Sequence, residues 1–512
     1  MIKSLVLLTS ALLLGAAASP PEPLSIPVTI AASVGDHQSG RLIVFVERVD
    51  PGAKPSASVD FNAFAPTTAT ITAREVIDLR PTVAAVVDAE TDAFPRPLST
   101  LPRGKYRLQA VLDRNHDYAY NGRGPGDLIS SVETVTLPGP IPTLTLNSEL
   151  PATESAPRAD LAPYYAKVRP VDFQSTLLTA FRGTPTSIRG WLALPPGYDG
   201  KTPFPTVYSD GGFGSTLGSA KRSAANMIRL MADGKAPPMI WVYLDHSVGT
   251  GTHEFADSAN NGPWGTALTS ELIPALEREY TMDARPSGRF LTGHSSGGWS
   301  TLWLQVRYPK VFGGSWPTSP DPSDFHDFTN IDIYAPNANF YTDAAGKPRP
   351  LIRENGKVIA NMVDFARSEA VMGAYGGQIT SFEWVFSPRG RDGRPVPLFD
   401  RATGRIDSSV AAYWRDNYDI ANIIRRDWPT LKPDLDGKIH LTVGTADTFY
   451  LDGPAHRLEA VMRNVGARTD FRYLPGKTHF DLYVRGDDRD ALLKDIAWEM
   501  YAVARPDAKR VN

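Results

Sequence analysis

From Leu24 to about Leu150 the apolar positions fall in short β-branched runs: Arg41–Val49, Ala69–Leu79, Thr82–Val87, Tyr106–Leu112, Ile129–Leu137 and Thr143–Leu146. Pro, Gly and Asp separate them, and no stretch carries the i, i+3, i+4 spacing of a long amphipathic helix. Runs of this kind predict a small all-β sandwich over residues 19–150. Residues 151–163 (PATESAPRADLAP) are rich in Pro, Ala and charge, as a linker is.

The pattern then changes. Apolar β runs at Thr206–Ser209, Met239–Leu244, Arg289–Thr292, Gly313–Trp316, Ile439–Val443 and Phe471–Leu474 alternate with helical periods at Arg222–Ala232, Ala267–Tyr280, Gly298–Tyr308 and Ala455–Val465. Alternation predicts mostly parallel strands joined by crossover helices, an α/β domain over residues 164–512. The strands ending at Trp316 and starting at Ile439 are too far apart for an ordinary connection, so an insertion is expected at about 319–436. It carries Phe340, Tyr341, Trp384, Phe386, Tyr413, Trp414 and Trp428, with several arginines between Arg389 and Arg405. These side chains suit either a lid binding a sugar or aryl ester or the insertion's own small core.

At the N-terminus Lys3 precedes an apolar run, Leu5–Leu14, and then Gly15, Ala16, Ala17 and Ala18. This reads as a cleaved signal peptide, residues 1–18, with export to a periplasm or the medium. No other stretch approaches 18 uninterrupted apolar residues, so no membrane span is expected. The 512 residues hold 53 basic against 56 acidic side chains, net −3, which gives nucleic acid no electrostatic footing. The chain has no Cys, which removes disulfides, thiol nucleophiles and thiolate metal sites.

Gly293-His294-Ser295-Ser296-Gly297 stands directly after a β run and before a helix, the setting of a nucleophile elbow. The strained turn lifts Ser295 clear of the sheet, and its hydroxyl needs a base later in the chain. His326, His440, His456 and His479 follow it; His326 falls in the insertion, His440 in a strand and His456 in a helix, which leaves His479, in the loop after the last strand. Asp447, past the strand before that, is the expected acid that orients the imidazole, with Asp452 as the fallback. The oxyanion needs two backbone N–H donors: Ser296, which follows the nucleophile, and Gly212 in the loop Asp210-Gly211-Gly212, with Phe213 close behind.

Together these residues resemble the branch of the α/β-hydrolase fold that includes esterase D, enterochelin-esterase-like and feruloyl-esterase-like enzymes. The stretch from Glu254 to Gly265 is similar to segments of that branch. The resemblance spans roughly residues 171–313 and 437 onward, and implies carboxylic ester hydrolysis through an acyl-serine, without metal or cofactor, on a small-molecule or carbohydrate-linked ester. The insertion and the N-terminal β region depart from the family's pattern, so substrate identity does not carry over. Acyl transfer to an alcohol, peptide hydrolysis and a non-catalytic exported binding protein are the rival readings.

Asp113-Arg114-Asn115-His116-Asp117, with Asn121, Gly122 and Asp127, resembles the oxygen-rich start of a calcium loop. Tyr118 at position six and Gly124 at position twelve exclude an EF-hand. An Asx-rich turn is the plainer reading, and a looser Ca²⁺ site in a β-sandwich loop is the alternative.

Overall fold

The computed structural model describes residues 24–52, 56–152 and 157–508. The expected signal peptide and residues 153–156 of the expected linker lie outside the described residues.

The N-terminal strands hydrogen-bond as one continuous nine-stranded sheet rather than as two separate sheets. Its long strands, Gln38–Arg48, Ala69–Leu79 and Gly104–Asp113, pair antiparallel. The strand Ser25–Ile30 closes one side, parallel to Leu144–Glu149 and antiparallel to Ala85–Asp88. Successive side chains of Gln38–Arg48 point to opposite faces, so Leu42, Val44 and Val46 enter one core with Ile26, Val28, Leu108 and Leu146. Ile43 and Phe45 enter a second core with Ile71, Phe94 and Val111. That outer core is completed from elsewhere in the chain, by Val371 and Met372 of the insertion helix Met362–Met372. The Arg41 guanidinium adds a hydrogen bond to the Val371 carbonyl at 2.5 Å.

The second sheet has eight strands in the order Arg169–Gln174, Ser187–Ala193, Ile240–Leu244, Thr206–Asp210, Arg289–His294, Gly314–Thr318, His440–Gly444, Asp470–Leu474. The first two pairings are antiparallel and all the others parallel. Both faces are covered: Trp241, Phe290 and Trp316 pack with the helices Leu217–Ala232 and Ala491–Ala504 on one side. Tyr208, Val242 and Leu291 pack with Leu268 and Leu272 on the other. The expected helix Ala267–Tyr280 is present as Trp264–Glu279, with one π turn at Leu268–Leu272.

The insertion holds a β-hairpin, Pro350–Glu354 with Lys357–Asn361, and four helices: Met362–Met372, Gln378–Phe386, Ser408–Asn417 and Ile420–Leu435. Phe386, Trp414 and Trp428 are buried in one core with Trp299 and Trp303 of the helix Ser296–Arg307. The insertion is thus packed against the helix that follows Ser295. Of the expected aromatics Phe340, Tyr341, Phe386, Trp414 and Trp428 are buried, and Trp384 and Tyr413 are half-buried.

In an open parallel sheet, groups that do chemistry gather beyond the carboxyl ends of the strands, near the point where strand order reverses. The strand Thr206–Asp210 lies between Ile240–Leu244 and Arg289–His294, which marks that point.

Candidate active site

Ser295 follows the strand Arg289–His294 and caps the helix Ser296–Arg307, with φ 58° and ψ −123°. A non-glycine residue there carries strain on the order of 1–3 kcal/mol, held in place by its surroundings. The flanking glycines make the turn possible. A Cβ on Gly293 would stand 2.2 Å from the Gly297 carbonyl, and one on Gly297 would stand 2.4 Å from the carbonyls of both Asp210 and Gly211.

Asp447 and His479 meet as expected, each in the loop after its strand. His479 Nδ1 donates to Asp447 Oδ2 at 2.9 Å, and both side chains are buried. Asp447 Oδ1 accepts from the backbone N–H groups of Phe449 at 2.9 Å and Leu451 at 3.3 Å. Burial alone would raise the Asp447 carboxyl, but the hydrogen bond and charge of His479, with the Phe449 N–H, hold it below the usual carboxylate range. An ionised Asp447 on Nδ1–H leaves Nε2 as the basic nitrogen.

Asp452 is engaged elsewhere: its carboxylate accepts from Arg353 at 2.8 Å, and the same guanidinium donates to the Asp447 carbonyl at 2.7 Å. His326 pairs with Asp324 at 2.9 Å, and His440 pairs with Asp470 at 2.7 Å. His456 stacks on Tyr473 at 3.8 Å.

The Ser295 hydroxyl donates to Asp321 Oδ1 at 3.4 Å, and the Ser296 hydroxyl donates to Asp321 Oδ2 at 2.6 Å. Among the described residues Ser295 has no hydrogen bond to His479. Asp321 follows the strand Gly314–Thr318, and burial pushes its carboxyl up to about 6 against the pull of the Ser296 hydroxyl and His479. His294, whose ring lies 4.4 Å from that of His479, is pushed down to about 3 by burial and by that neighbour. It is an uncharged wall at neutral pH.

Gly212 lies against the serine: a Cβ built on it would be 3.1 Å from Ser295 Cβ and 3.8 Å from Ser295 Oγ. Its carbonyl accepts from His246 Nε2 at 3.2 Å and from the Ser215 N–H at 3.0 Å. His246 Nδ1 lies 3.2 Å from Asp210. Burial opposes a charge on His246, but Asp210 and the Gly212 carbonyl outweigh it and raise its pKa. The Ser296 N–H opens a helix, where it has no intrahelical acceptor. Gly212 and Ser296 thus both stand beside Ser295.

Sequence reasoning missed three residues. Asp321 and His246 each follow a parallel strand, as Asp447 does, so the position rule that found one could have found the others. Glu254 does not follow such a strand, and the sequence pointed to it only as the start of the stretch Glu254–Gly265, with no role attached. Glu254 is buried with φ 49°, neither carboxyl oxygen has a hydrogen-bond partner among the described residues, and burial with the charges of Asp321 and Asp210 pushes its carboxyl well above the usual range.

Beside Ser295 and Asp321 opens an apolar pocket lined from the insertion by Phe328, Phe340, Leu351, Met362, Ile379 and Phe382. On the His479 side, Phe449 lies edge-on to the imidazole at 4.9 Å, and Phe480 and Phe64 complete a cluster with ring centroids 5.6–6.2 Å apart. Phe480 is 66% exposed and Phe64 41%. Phe64 comes from the N-terminal region, so that region reaches the mouth of the site.

Two oxygen-bearing clusters among the described residues have the spacing of a metal site: Asp324, His326 and Asp419, and Asp113, Asp117 and Asp127. In the first, Asp419 caps the helix Ile420–Leu435 and accepts from the Phe325 N–H at 3.0 Å and the Tyr334 hydroxyl at 2.7 Å, so its oxygens are already used.

Comparison with solved structures finds similar chains at low identity. A ferulic acid esterase of the fungus Anaeromyces mucronatus is 15% identical, with 66% of this chain and 91% of that chain covered and a TM-score of 0.34. An S-formylglutathione hydrolase from Agrobacterium tumefaciens is 15% identical, covering 66% and 95%, with a TM-score of 0.37. A feruloyl esterase module from Clostridium thermocellum is 14% identical, covering 70% and 95%, with a TM-score of 0.37. No curated protein matches the sequence. The model of the family described as Putative esterase matches residues 183–487, more than half of the chain and the whole span from before Gly212 to beyond His479. The chain belongs to that family, of the α/β-hydrolase type.

Proposed function

We propose that this member of an ester-hydrolysing family is an exported serine esterase working through Ser295, His479 and Asp447. The observation that carries the reading is the convergence of a strained Ser295, an Asp447–His479 pair and Gly212 beyond the carboxyl ends of neighbouring parallel strands. Export rests on the sequence of residues 1–18.

In the resting site the Ser295 hydroxyl points to Asp321. Catalytic hydrogen bonds are often long or misdirected without substrate. When an ester enters, rotation about the Ser295 Cα–Cβ bond brings the hydroxyl to His479 Nε2. Ser295 Oγ forms a bond to the ester carbonyl carbon while its proton passes to Nε2. The carbonyl oxygen becomes an oxyanion held by the N–H groups of Gly212 and Ser296. The carbon–alkoxy bond then breaks, the proton on Nε2 goes to the departing alcohol, and an acyl-Ser295 remains. Water repeats the sequence: its proton goes to Nε2, its oxygen bonds to the acyl carbon, and Ser295 regains a proton as the acid leaves. Asp447 stays ionised and stabilises the imidazolium in both halves.

Because His479 protonates the leaving alcohol, groups beside it face the alcohol half of the substrate. Phe449, Phe480 and Phe64 then form an aromatic platform for an aryl or sugar alcohol, and the insertion pocket takes the acyl group. The insertion, fixed on the helix Ser296–Arg307, acts as a cover that walls the acyl side.

Incubation with an aryl-tagged fluorophosphonate, followed by mass spectrometry of peptides, tests the reading. It predicts one adduct, on Ser295; no adduct, or an adduct on another serine with Ser295 unmodified, would defeat it.

A further inference from the structure

Asp113, Asp117 and Asp127 of the N-terminal sheet each place a carboxylate oxygen within 4.8 Å of the other two. Asp113 and Asp127 are buried and Asp117 half-buried. None of the three has an ion-pair partner among the described residues. Arg114, the nearest guanidinium in sequence, donates to the Gly126 carbonyl and to Gln38 and pairs with Glu149 at 2.8 Å. His116 turns to Glu75 at 3.1 Å.

Crowding alone does not make a site, but the loose oxygens here do more than crowd. Asp113 is used by the turn, accepting from the N–H groups of Asn115, Asp117 and Tyr118 at 3.0–3.3 Å. Asp127 spends Oδ2 on the Gly124 N–H at 2.8 Å, while its Oδ1, on a fully buried side chain facing the cluster, has no partner. Asp117 Oδ1 is also buried without a partner. An acceptor left in this state costs on the order of 1–3 kcal/mol, more when charged. A cation removes that cost. The set is all oxygen, at the end of the strand Gly104–Asp113 and in the segment that follows it, and Asp127 supplies the closing carboxylate that an EF-hand takes from position twelve. Hard, adaptable oxygen ligation of this kind suits Ca²⁺ better than Mg²⁺, which demands near-ideal octahedral geometry.

The loop between these aspartates carries Tyr120. Its hydroxyl donates to the Ser215 carbonyl at 2.7 Å, and its ring stands edge-on to Phe213 at 4.8 Å. Ser215 and Phe213 belong to the same turn as Gly212. We propose that Asp113, Asp117 and Asp127 bind one Ca²⁺, and that the ion orders the loop through which Tyr120 braces the Gly212 turn. The first half stands on the cluster alone; the second rests on Gly212 being an oxyanion donor.

The test uses the full exported chain, stripped with a chelator and dialysed. Titration calorimetry with CaCl₂ should give one site per chain, with Kd on the order of 10⁻⁴ M. Calcium at ten times that value should stabilise by about 1.4 kcal/mol and raise the melting midpoint by about 1–2 °C. MgCl₂ at the same concentration should shift it less. Asp127→Asn and Asp117→Asn should each abolish the heat and the shift, and Asp117, half-buried, serves if Asp127→Asn does not fold. No heat and no shift in the wild type at millimolar calcium would overturn the site, as would a shift retained in the variants; an equal or larger effect of Mg²⁺ would overturn the assignment to Ca²⁺. For the brace, calcium should raise kcat of the wild type but not of Tyr120→Ala, which should keep the calorimetric site. Equal calcium activation of both proteins would overturn the brace and leave the site standing.

Discussion

The Ser295 hydroxyl donates to Asp321 Oδ1 at 3.4 Å, and Asp321 has its other oxygen on the Ser296 hydroxyl at 2.6 Å. A buried carboxylate therefore touches both the proposed nucleophile and the residue whose N–H is proposed to hold the oxyanion. It costs the fold something. Burial raises the Asp321 pKa from the usual carboxylate value of 3.8 to about 6, a penalty of up to about 3 kcal/mol when the group is ionised.

The pH dependence follows from that direction. Below about pH 4 Asp321 is protonated folded or unfolded and costs nothing. Between 4 and 6 the unfolded chain releases the proton while the folded one keeps it, so stability falls as pH rises, and above 6 the penalty is full. Asp321→Asn keeps an acceptor for Ser296 and removes the charge. Its thermal midpoint should exceed that of the wild type at pH 8, with the gain shrinking to nothing by about pH 4. A gain independent of pH would refute the buried-charge account.

His246 is a positioning residue, acting through the Gly212 carbonyl that its Nε2 holds at 3.2 Å. Loss of a whole oxyanion donor costs on the order of 10²-fold in kcat. His246→Gln, which loosens a donor without removing it, should lower kcat about tenfold with KM little changed. An effect confined to KM would show that His246 contacts substrate instead.

Phe64 joins the N-terminal region to the rim beside His479 through Phe449 and Phe480, at 6.2 and 5.6 Å. Removing one aromatic partner costs about 0.5–1.5 kcal/mol. Phe64→Ala should therefore raise KM several-fold for esters of aryl alcohols and leave methyl esters of the same acid unaffected. Equal losses on both esters would mean that Phe64 supports the fold and not the alcohol half of the substrate.

Much of this was legible in the chain. The elbow needs glycine at 293 and 297, where any Cβ would stand within 2.4 Å of a backbone carbonyl oxygen, and such constraints are written in residue type and order. The order Ser295, Asp447, His479 follows from the succession of parallel strands, so the loops after those strands could be named. What depends on packing between distant segments was not legible. Period-2 alternation marks Gln38–Arg48 as a strand but does not say that Ile43 and Phe45 are covered by Val371 and Met372, more than 300 residues on. Nor does it say that strands of the N-terminal region close into one sheet through the parallel pairing of Val28 with Leu144. The aromatics of the insertion read equally as lid or core; Phe340, Trp414 and Trp428 all entered one core with Trp299 and Trp303, and Phe340 also lines the pocket, an outcome that depends on packing across the chain rather than on spacing.

The central claim is that Ser295 is the nucleophile, and the most direct measurement is turnover of a short-chain aryl ester by Ser295→Ala beside the wild type, both confirmed as folded by circular dichroism. Removal of a triad nucleophile costs several orders of magnitude in kcat. The account predicts a loss of about 10³-fold or more, with the aryl ester still bound; a variant that kept about a tenth of the wild-type rate would contradict it.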